Sequence, residues 1–462
     1  MKVAKFGGSS LADAAQIKKV CDIIQMDKER RVIVVSAPGK GENDPVKVTD
    51  MLIAAARETV ANGKEAGEKV FAEIIGRYAK IAAELEVPSV MAQIEPALKA
   101  LAAQDTADSA RYEDAVKAAG EDNCAKLAAA YLASLGLPAA YVEPGAAGML
   151  LSNEPGNAKV CPEAYDLLGA GPLRALLADG GIAVFPGFFG RTQAGEVVTF
   201  PRGGSDITGA ILAAALDVEV YENFTDVDYI YSISPKYKEN PKPIKTVTYR
   251  EMRELSYAGF NVYQEEALFP VFHARVPVNV RSVNNPSCPG TLIVPERDAS
   301  SNGLAVGIAA DSGFSAISIS KYMMNREVGF GRDVLQILAE EGISYEHFPS
   351  GIDDVTVIVR DAMLGDDAKC ARIKAKLEAL GTPENEVIVE IERNELSLIV
   401  VVGEGMKHAV GAAAAAAGAL HDAGISISMI SQGSSEVSMI FAVESAYCVA
   451  GVQVMYEEFF QD

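Results

Sequence analysis

Histidine is scarce in this 462-residue chain: His273, His347, His408 and His421 are the whole set. No two of them stand at metal-ligand spacing, which argues against a histidine-built metal centre. The six cysteines (Cys21, Cys124, Cys161, Cys288, Cys370 and Cys448) lie far apart and form no CxxC pair. That spacing suits reduced thiols in a cytosolic protein better than a disulfide framework or a zinc site. No apolar run approaches the ~20 residues of a membrane span. No basic-then-apolar leader precedes the first strand-like residues, so the expected location is the cytoplasm. Positive charge is short as well: 41 Lys and Arg against 63 Asp and Glu leave a net charge of −22. Such a surface repels nucleic acid and anionic lipid, and neither is expected as a partner. An anionic substrate would need a site that reverses this field with placed cations, helix N-termini or a metal.

What the chain does have is apolar mass, 49% hydrophobic residues with 23% charged, enough for the cores of several domains. "KVAKF" reads as a strand, followed by a helix through about Met26 and a buried strand in "RVIVVSAPG". Consecutive βα units of this kind favour a mostly parallel sheet with helices on both faces. Residues 48–135 are Ala-rich and read as a helical lobe. "GIAVFPGFFG", "GEVVTF", "VEVYENF", "VPVNVRS" and "GTLIVP" return to strand patterns, and the polar "RDASSNG" at 297–303 reads as a linker.

Beyond the linker the pattern changes. "FSAISIS", "GFGRDVLQILAEEG", "ISYEHF", "VTVIVR", "AKCARIKAKLEAL" and "NEVIVEI" spell βαββαβ, the ferredoxin-like order. A second pass starts at "LSLIVVVG" and ends one strand short. The unassigned β candidate "LAVGIAA" at 304–310 is expected to complete it, since a missing strand would leave a sheet edge open. The expected division is therefore 1–296, a first module at 314–393, and a second module from 304–310 plus 394–462.

Three stretches carry chemistry. "KFGGSS" puts Lys5 at a strand end before Gly7, Gly8 and Ser9, an arrangement that aims backbone N–H groups at an anion. A tight turn capped by Ser9 or Ser10 reads the same way. "PRGGSD" sets Arg202, Ser205 and Asp206 at the start of a strongly apolar helix, and the Arg202 guanidinium can hold a carboxylate with two parallel bonds, although a capped helix after a turn has the same residues. "FTDVDYIY" places Thr225, Asp226 and Asp228 at a strand's carboxyl end, the usual ligand edge of an α/β sheet, although an Asx-type turn has the same residues.

Together with "VVVSAPG", "VTDMLI", "AAGEDNCAKLAAAYL", "GFFG", "ELSYAGFNV" and "NNPSCPGTLI", these stretches follow the order found in aspartokinases, and the chain resembles that family over nearly its whole length. The resemblance implies a three-layer α/β/α amino-acid-kinase domain with a mostly parallel central sheet, followed by two ferredoxin-like ACT modules. It implies transfer of the ATP γ-phosphoryl group to the β-carboxylate of L-aspartate, with Mg²⁺ on the nucleotide, as the first step of the aspartate-family amino-acid pathway. By resemblance, Lys5 meets the transferring phosphoryl beside Gly7, Gly8 and Ser9, and Asp206 holds Lys5. Arg202 takes the α-carboxylate and Glu121 the α-ammonium of aspartate, with Thr49, Phe188 and Ser205 also facing substrate. Thr225, Asp226, Tyr231 and Lys236 would contact the nucleotide. Taken alone, Glu121 reads as an ordinary exposed helix residue and Phe188 as core. The chain departs from the common family pattern at Phe200, Pro201, Tyr229, Ser234, Lys236, Asn261 and Gln264.

ACT pairs in the family bind an end-product amino acid, usually lysine or threonine. The matching positions here are Met324, Gly329, Phe330, Tyr345, Glu346, Asp353 and Asp354, and the carboxylates near "PSGIDD" favour lysine. "MISQGSSEVSM" resembles the loop that pairs ACT modules between chains, so a homodimer or larger homo-oligomer is expected. Two other readings stand beside this one. A glutamate 5-kinase shares "TDVD" but not the ACT tail, and a non-catalytic amino-acid sensor would have no reason to keep Lys5 and Asp206.

Overall fold

The computed structural model describes residues 1–42, 44–260, 265–298 and 303–460. Asn261, Gln264 and most of the 297–303 linker lie outside the described residues. The chain divides into two compact units, the first made of 1–230, 243–249 and 261–297, the second of 231–242, 250–260 and 298–462.

The first unit is built on an eight-stranded sheet. Its strands lie in the order Thr246–Thr248, Thr291–Val294, Val278–Ser282, Val220–Thr225, Lys2–Phe6, Arg30–Val35, Ile182–Pro186 and Ala139–Tyr141. Every neighbouring pair is parallel except Val278–Ser282 with Thr291–Val294. The central strands read as near-continuous apolar runs because helices cover both faces. Helices Val48–Asn62, Lys64–Glu84, Met91–Ala103 and Ser109–Ser134 form the Ala-rich lobe expected at 48–135, and their buried residues join the core under Phe6 and Ile33.

One charged cluster interrupts that core. Glu222, at 1% exposure, accepts from Arg30 Nε at 2.5 Å and from Arg281 Nη1 at 2.7 Å, and both guanidinium groups lie over the Phe224 ring. Burial pushes the Glu222 carboxyl up, but the bonds from Arg30 and Arg281 outweigh it and hold the group below its ordinary value.

The second unit carries a five-stranded antiparallel sheet in the order Asp354–Arg360, Gly307–Ser320, Ile388–Val402, Ser438–Glu444, Met429–Gln432. Two expected strand boundaries are absent. "LAVGIAA" and "FSAISIS" merge from Gly307 into one strand, as do "NEVIVEI" and "LSLIVVVG" from Ile388. Register shifts near Gly313, with Asn394 opposite in a left-handed conformation, bend the ladder without breaking it. Along this ladder Gly307–Ser312 lie against Ser397–Val402.

"ISYEHF" is not a strand either. It makes only the isolated bridge at His347, with another at Ser350, because Pro349 has no N–H to give and Gly351 turns the chain. Nor does the first unit contain 1–296 whole. Residues 231–242 and 250–260 pack in the second unit, where Lys242 N–H donates to the Tyr456 hydroxyl at 3.0 Å, and Glu404 N–H to Glu251 Oε1 at 2.8 Å.

Replacing Glu222 with Gln leaves buried Arg30 and half-buried Arg281 without their counter-charge and should cost about 3–5 kcal/mol of stability. The urea midpoint of the first unit's unfolding should fall accordingly, and an unchanged midpoint would show that the cluster contributes nothing. Because the carboxyl is held low, its stabilisation is complete above its unfolded value and is lost as the pH falls through the folded one.

Candidate active site

The carboxyl ends of Lys2–Phe6, Arg30–Val35, Ile182–Pro186 and Val220–Thr225 lie side by side, and the turns that follow them meet at one edge of the first unit's sheet. After Phe6 the chain passes through Gly7 into a short 3₁₀ turn, Gly8–Leu11. That turn lies against the "SAPG" loop so closely that a Cβ on Gly39 would stand 2.5 Å from the Gly8 carbonyl carbon. Only glycines permit this backbone approach.

Lys5 is nearly buried, and its Nζ is 2.7 Å from Asp206 Oδ1. Asp206 stands in the first turn of helix Gly204–Ala215, which enters through Gly203 at φ +82. The same Oδ1 accepts from the Asn223 amide at 2.6 Å. Ser205 is buried against Gly187, where an added Cβ would collide with it at 2.6 Å. Phe188 adopts φ +77, a conformation that costs an aromatic residue strain, and its N–H donates to Thr208 Oγ1 at 3.0 Å. Arg202 is exposed and makes no ion pair or hydrogen bond among the described residues, so its guanidinium is free for a ligand carboxylate.

Glu121 is the least expected member. Far from lying on an exposed helix face, it is 5% exposed on helix Ser109–Ser134, where Gly120 packs on Ala37. Burial drives its carboxyl up to about 8, partly opposed by the N–H groups of Ala37 and of Glu121 itself. Among the described residues its Oε2 has no hydrogen-bond partner. A buried carboxyl with one oxygen unsatisfied is a ready position for a ligand ammonium. Thr49 is half-buried in the first turn of Val48–Asn62, whose Val48 N–H is tied to the Pro38 carbonyl at 3.0 Å.

The nucleotide candidates divide between the units. Thr225 Oγ1 donates to Asp226 Oδ1 at 3.1 Å at the first unit's strand end. Tyr231 and Lys236 belong to the second unit, where the Lys236 ammonium lies over the Tyr237 ring. Among the described residues no group of three or more His, Cys, Asp or Glu could hold a metal. Mg²⁺, however, commonly uses only one or two protein carboxylates together with substrate phosphates.

Sequence reasoning missed Asn223, Thr208 and Arg77. The Arg77 guanidinium binds the carbonyls of Ala12, Gly39 and Val46, gathering the loops around Gly8. A polar residue within the β run "VYENF" and an arginine within an Ala-rich helix were the available signals.

In the second unit, the loop holding Met324 is tied to Asp353, whose Oδ1 accepts from Met323 N–H at 2.7 Å, and Asn325 N–H donates to the Ile352 carbonyl. Gly329 adopts φ +94 ahead of buried Phe330. Glu346 is already engaged by Tyr257 and Arg360, while Tyr345 and Asp354 are exposed. Tyr322, Val328 and Ile352 form bare apolar points on the same loops. A cavity of about 360 Å³ on the sheet face away from the helices is lined by Ser318, Asp354, Glu392 and Met429, among others. Of the effector positions only Asp354 reaches it.

Comparison with known proteins bears on the family. Residues 1–282 match the amino acid kinase family and 399–459 match the ACT domain. Aspartokinase 3 of Bacillus subtilis is 51% identical over 461 residues, which cover 100% of this chain and 99% of that protein. The crystal structure of Clostridium acetobutylicum aspartate kinase superposes with a TM-score of 0.83 at 35% identity, covering 99% of this chain and 100% of that one. Escherichia coli aspartokinase III in complex with lysine and aspartate, in its T-state, gives 0.80 at 25% identity with both chains fully covered.

The raised Glu121 carboxyl has a consequence for the ligand-free protein. Its contribution to stability is complete below the unfolded value and is lost as the pH rises toward about 8. Glu121→Gln should therefore gain melting temperature relative to the wild type between pH 5 and 8.5, whereas parallel pH profiles would contradict the assignment.

Proposed function

This chain belongs to the aspartokinase family, and on that premise we propose how its residues divide the work of phosphorylating L-aspartate. The observation that carries the reading is the Lys5–Asp206 pair beside the Gly7–Gly8 turn, with an unsatisfied carboxyl at Glu121 and a free guanidinium at Arg202. The acceptor β-carboxylate is already ionised at neutral pH, so no general base is needed. What remains is to bring two anions into line and to offset the charge that develops between them.

Lys5 offsets the charge on the transferring phosphoryl, beside the backbone of Gly7, Gly8 and Ser9. A bond forms from an aspartate β-carboxylate oxygen to the γ-phosphorus as the bond to the bridging oxygen breaks, and ADP leaves. Asp206 holds Lys5. Arg202 takes the α-carboxylate and Glu121 the α-ammonium, which favours the ionised form of that carboxyl. Thr49, Phe188 and Ser205 complete the aspartate side, and Thr225, Asp226, Tyr231 and Lys236 the nucleotide side. Mg²⁺ would be held by the nucleotide phosphates, and when bound it would neutralise phosphate charge.

The ACT half fits feedback regulation. We read 314–393 as a module inserted between 304–310 and 394–462, a division supported by the pairing of Gly307–Ser312 with Ser397–Val402. Lysine is the preferred effector, near Met324, Gly329, Phe330, Tyr345, Glu346, Asp353 and Asp354, because carboxylates suit its side-chain ammonium. Assembly as a homodimer or larger is supported by the bare apolar loop residues and by the sheet edge Met429–Gln432. The chain is assigned to the cytoplasm, and no helix among the described residues is long and apolar enough to cross a membrane.

A hydroxamate assay with ATP, Mg²⁺ and either aspartate or glutamate tests the activity directly, and product should form with aspartate. Lys5→Ala should remain folded and lose at least ~10²–10³-fold in kcat, and normal turnover would refute the mechanism. Millimolar lysine should lower the initial rate more than threonine does, and should raise the melting temperature. If the two, alone and together, change neither quantity, the regulatory reading is lost.

A further inference from the structure

Asn223 occupies the middle of the strand Val220–Thr225, directly between Lys5 on one neighbouring strand and Val280 on the other. It is 4% exposed. Side chains alternate along the strand. Glu222 and Phe224 face the core that holds Phe6, so Tyr221 and Asn223 face the helix that carries Asp206. A buried amide at the centre of a parallel sheet costs free energy unless it is bonded. An apolar side chain of similar size would fill the same space with no polar group to satisfy, so packing alone gives no reason for an amide.

Its bond gives the reason. The Asn223 amide donates at 2.6 Å to Asp206 Oδ1, the oxygen that also stands 2.7 Å from Lys5 Nζ. We propose that Asn223 is a positioning residue for phosphoryl transfer: it saturates Oδ1 and fixes the rotation of the Asp206 carboxylate, so that Lys5 is held by one oxygen rather than chelated by two. A lysine ammonium has three N–H donors. Held through one oxygen, it keeps the others, and more of its charge, for the phosphoryl group. Released from Asn223, Asp206 turns both oxygens onto Lys5 and competes with the phosphate for the same amine. The proposal rests on the reading of Lys5 as the cation that meets the transferring group.

The test compares Asn223→Leu, Asn223→Asp and Lys5→Ala in the full chain, assayed with ATP, Mg²⁺ and aspartate. Asn223→Leu should lower kcat about tenfold to a hundredfold, with the KM for aspartate changed by less than about twofold. Its melting temperature should be no lower than the wild type's. Asn223→Asp carries a signature that a purely structural role would not produce. At alkaline pH the introduced carboxylate repels Asp206 and competes for Lys5. On acidification two adjacent carboxyls retain a shared proton, and the protonated group restores an O–H donor to Asp206. The ratio of its kcat to that of the wild type should therefore rise as the pH is lowered from about 8.5 to about 6. Wild-type kcat in Asn223→Leu, or a ratio for Asn223→Asp that is flat with pH, overturns the proposal. If Lys5→Ala is inactive while Asn223→Leu matches the wild type, only the role of Asn223 falls. If Lys5→Ala turns over normally, both readings fall.

Discussion

A primary ammonium held 2.7 Å from a carboxylate, at the carboxyl edge of a parallel sheet, is the interaction around which the first unit's candidate site is arranged. A chain with net charge −22 cannot attract a nucleotide and an amino diacid by its overall field. It can do so only where a few cations are fixed. Lys5 is fixed by Asp206 and flanked by Asn223, while Arg202 stands free of any protein carboxylate among the described residues.

The surrounding backbone is shaped to the same end. Gly8 and Gly39 meet with no room for a side chain, Phe188 is held in a strained conformation, and Arg77 binds three carbonyls from the loops nearby. Such rigidity matters because transfer between two anions has no acid or base step to lean on. Its rate is set by distance, alignment and charge. Glu121 shows the same logic with opposite sign: a carboxyl kept dry, with one oxygen unpartnered among the described residues, is costly in the empty protein.

The second unit shows how a repeat is realised in space. Two βαββαβ passes do not yield two separate sheets, because bulges near Gly313 and Asn394 carry two strands through both halves. Segments 231–242 and 250–260, which lie in sequence among the strands of the first sheet, are bonded within this second core by Tyr237, Lys242, Glu251 and Glu254. Residue 231, where the first of these segments begins, directly follows Ile230 of the first unit in the chain.

Much of this was legible in the residues alone. The βα alternation, the Ala-rich helical lobe and the ferredoxin-like order follow from periodicity, glycine placement and charge, which are local properties of the chain, whereas the roles expected of "KFGGSS" and "PRGGSD" came from the family resemblance. Local reasoning failed wherever a residue's environment is assembled from distant segments. Glu121 looks exposed in sequence, and only the packing of Gly120 on Ala37 buries it. Asn223 looks like a flaw in a strand until Lys5 and Asp206 are brought beside it. The strand expected in "ISYEHF" gave way to Pro349, and the boundary expected at 296 gave way to segments whose bonding partners lie some two hundred residues away. Sequence determined which elements form and which charges are available. Tertiary structure decided which of those charges are desolvated and which share an atom, because desolvation and shared hydrogen bonds depend on neighbours that the order of residues does not name.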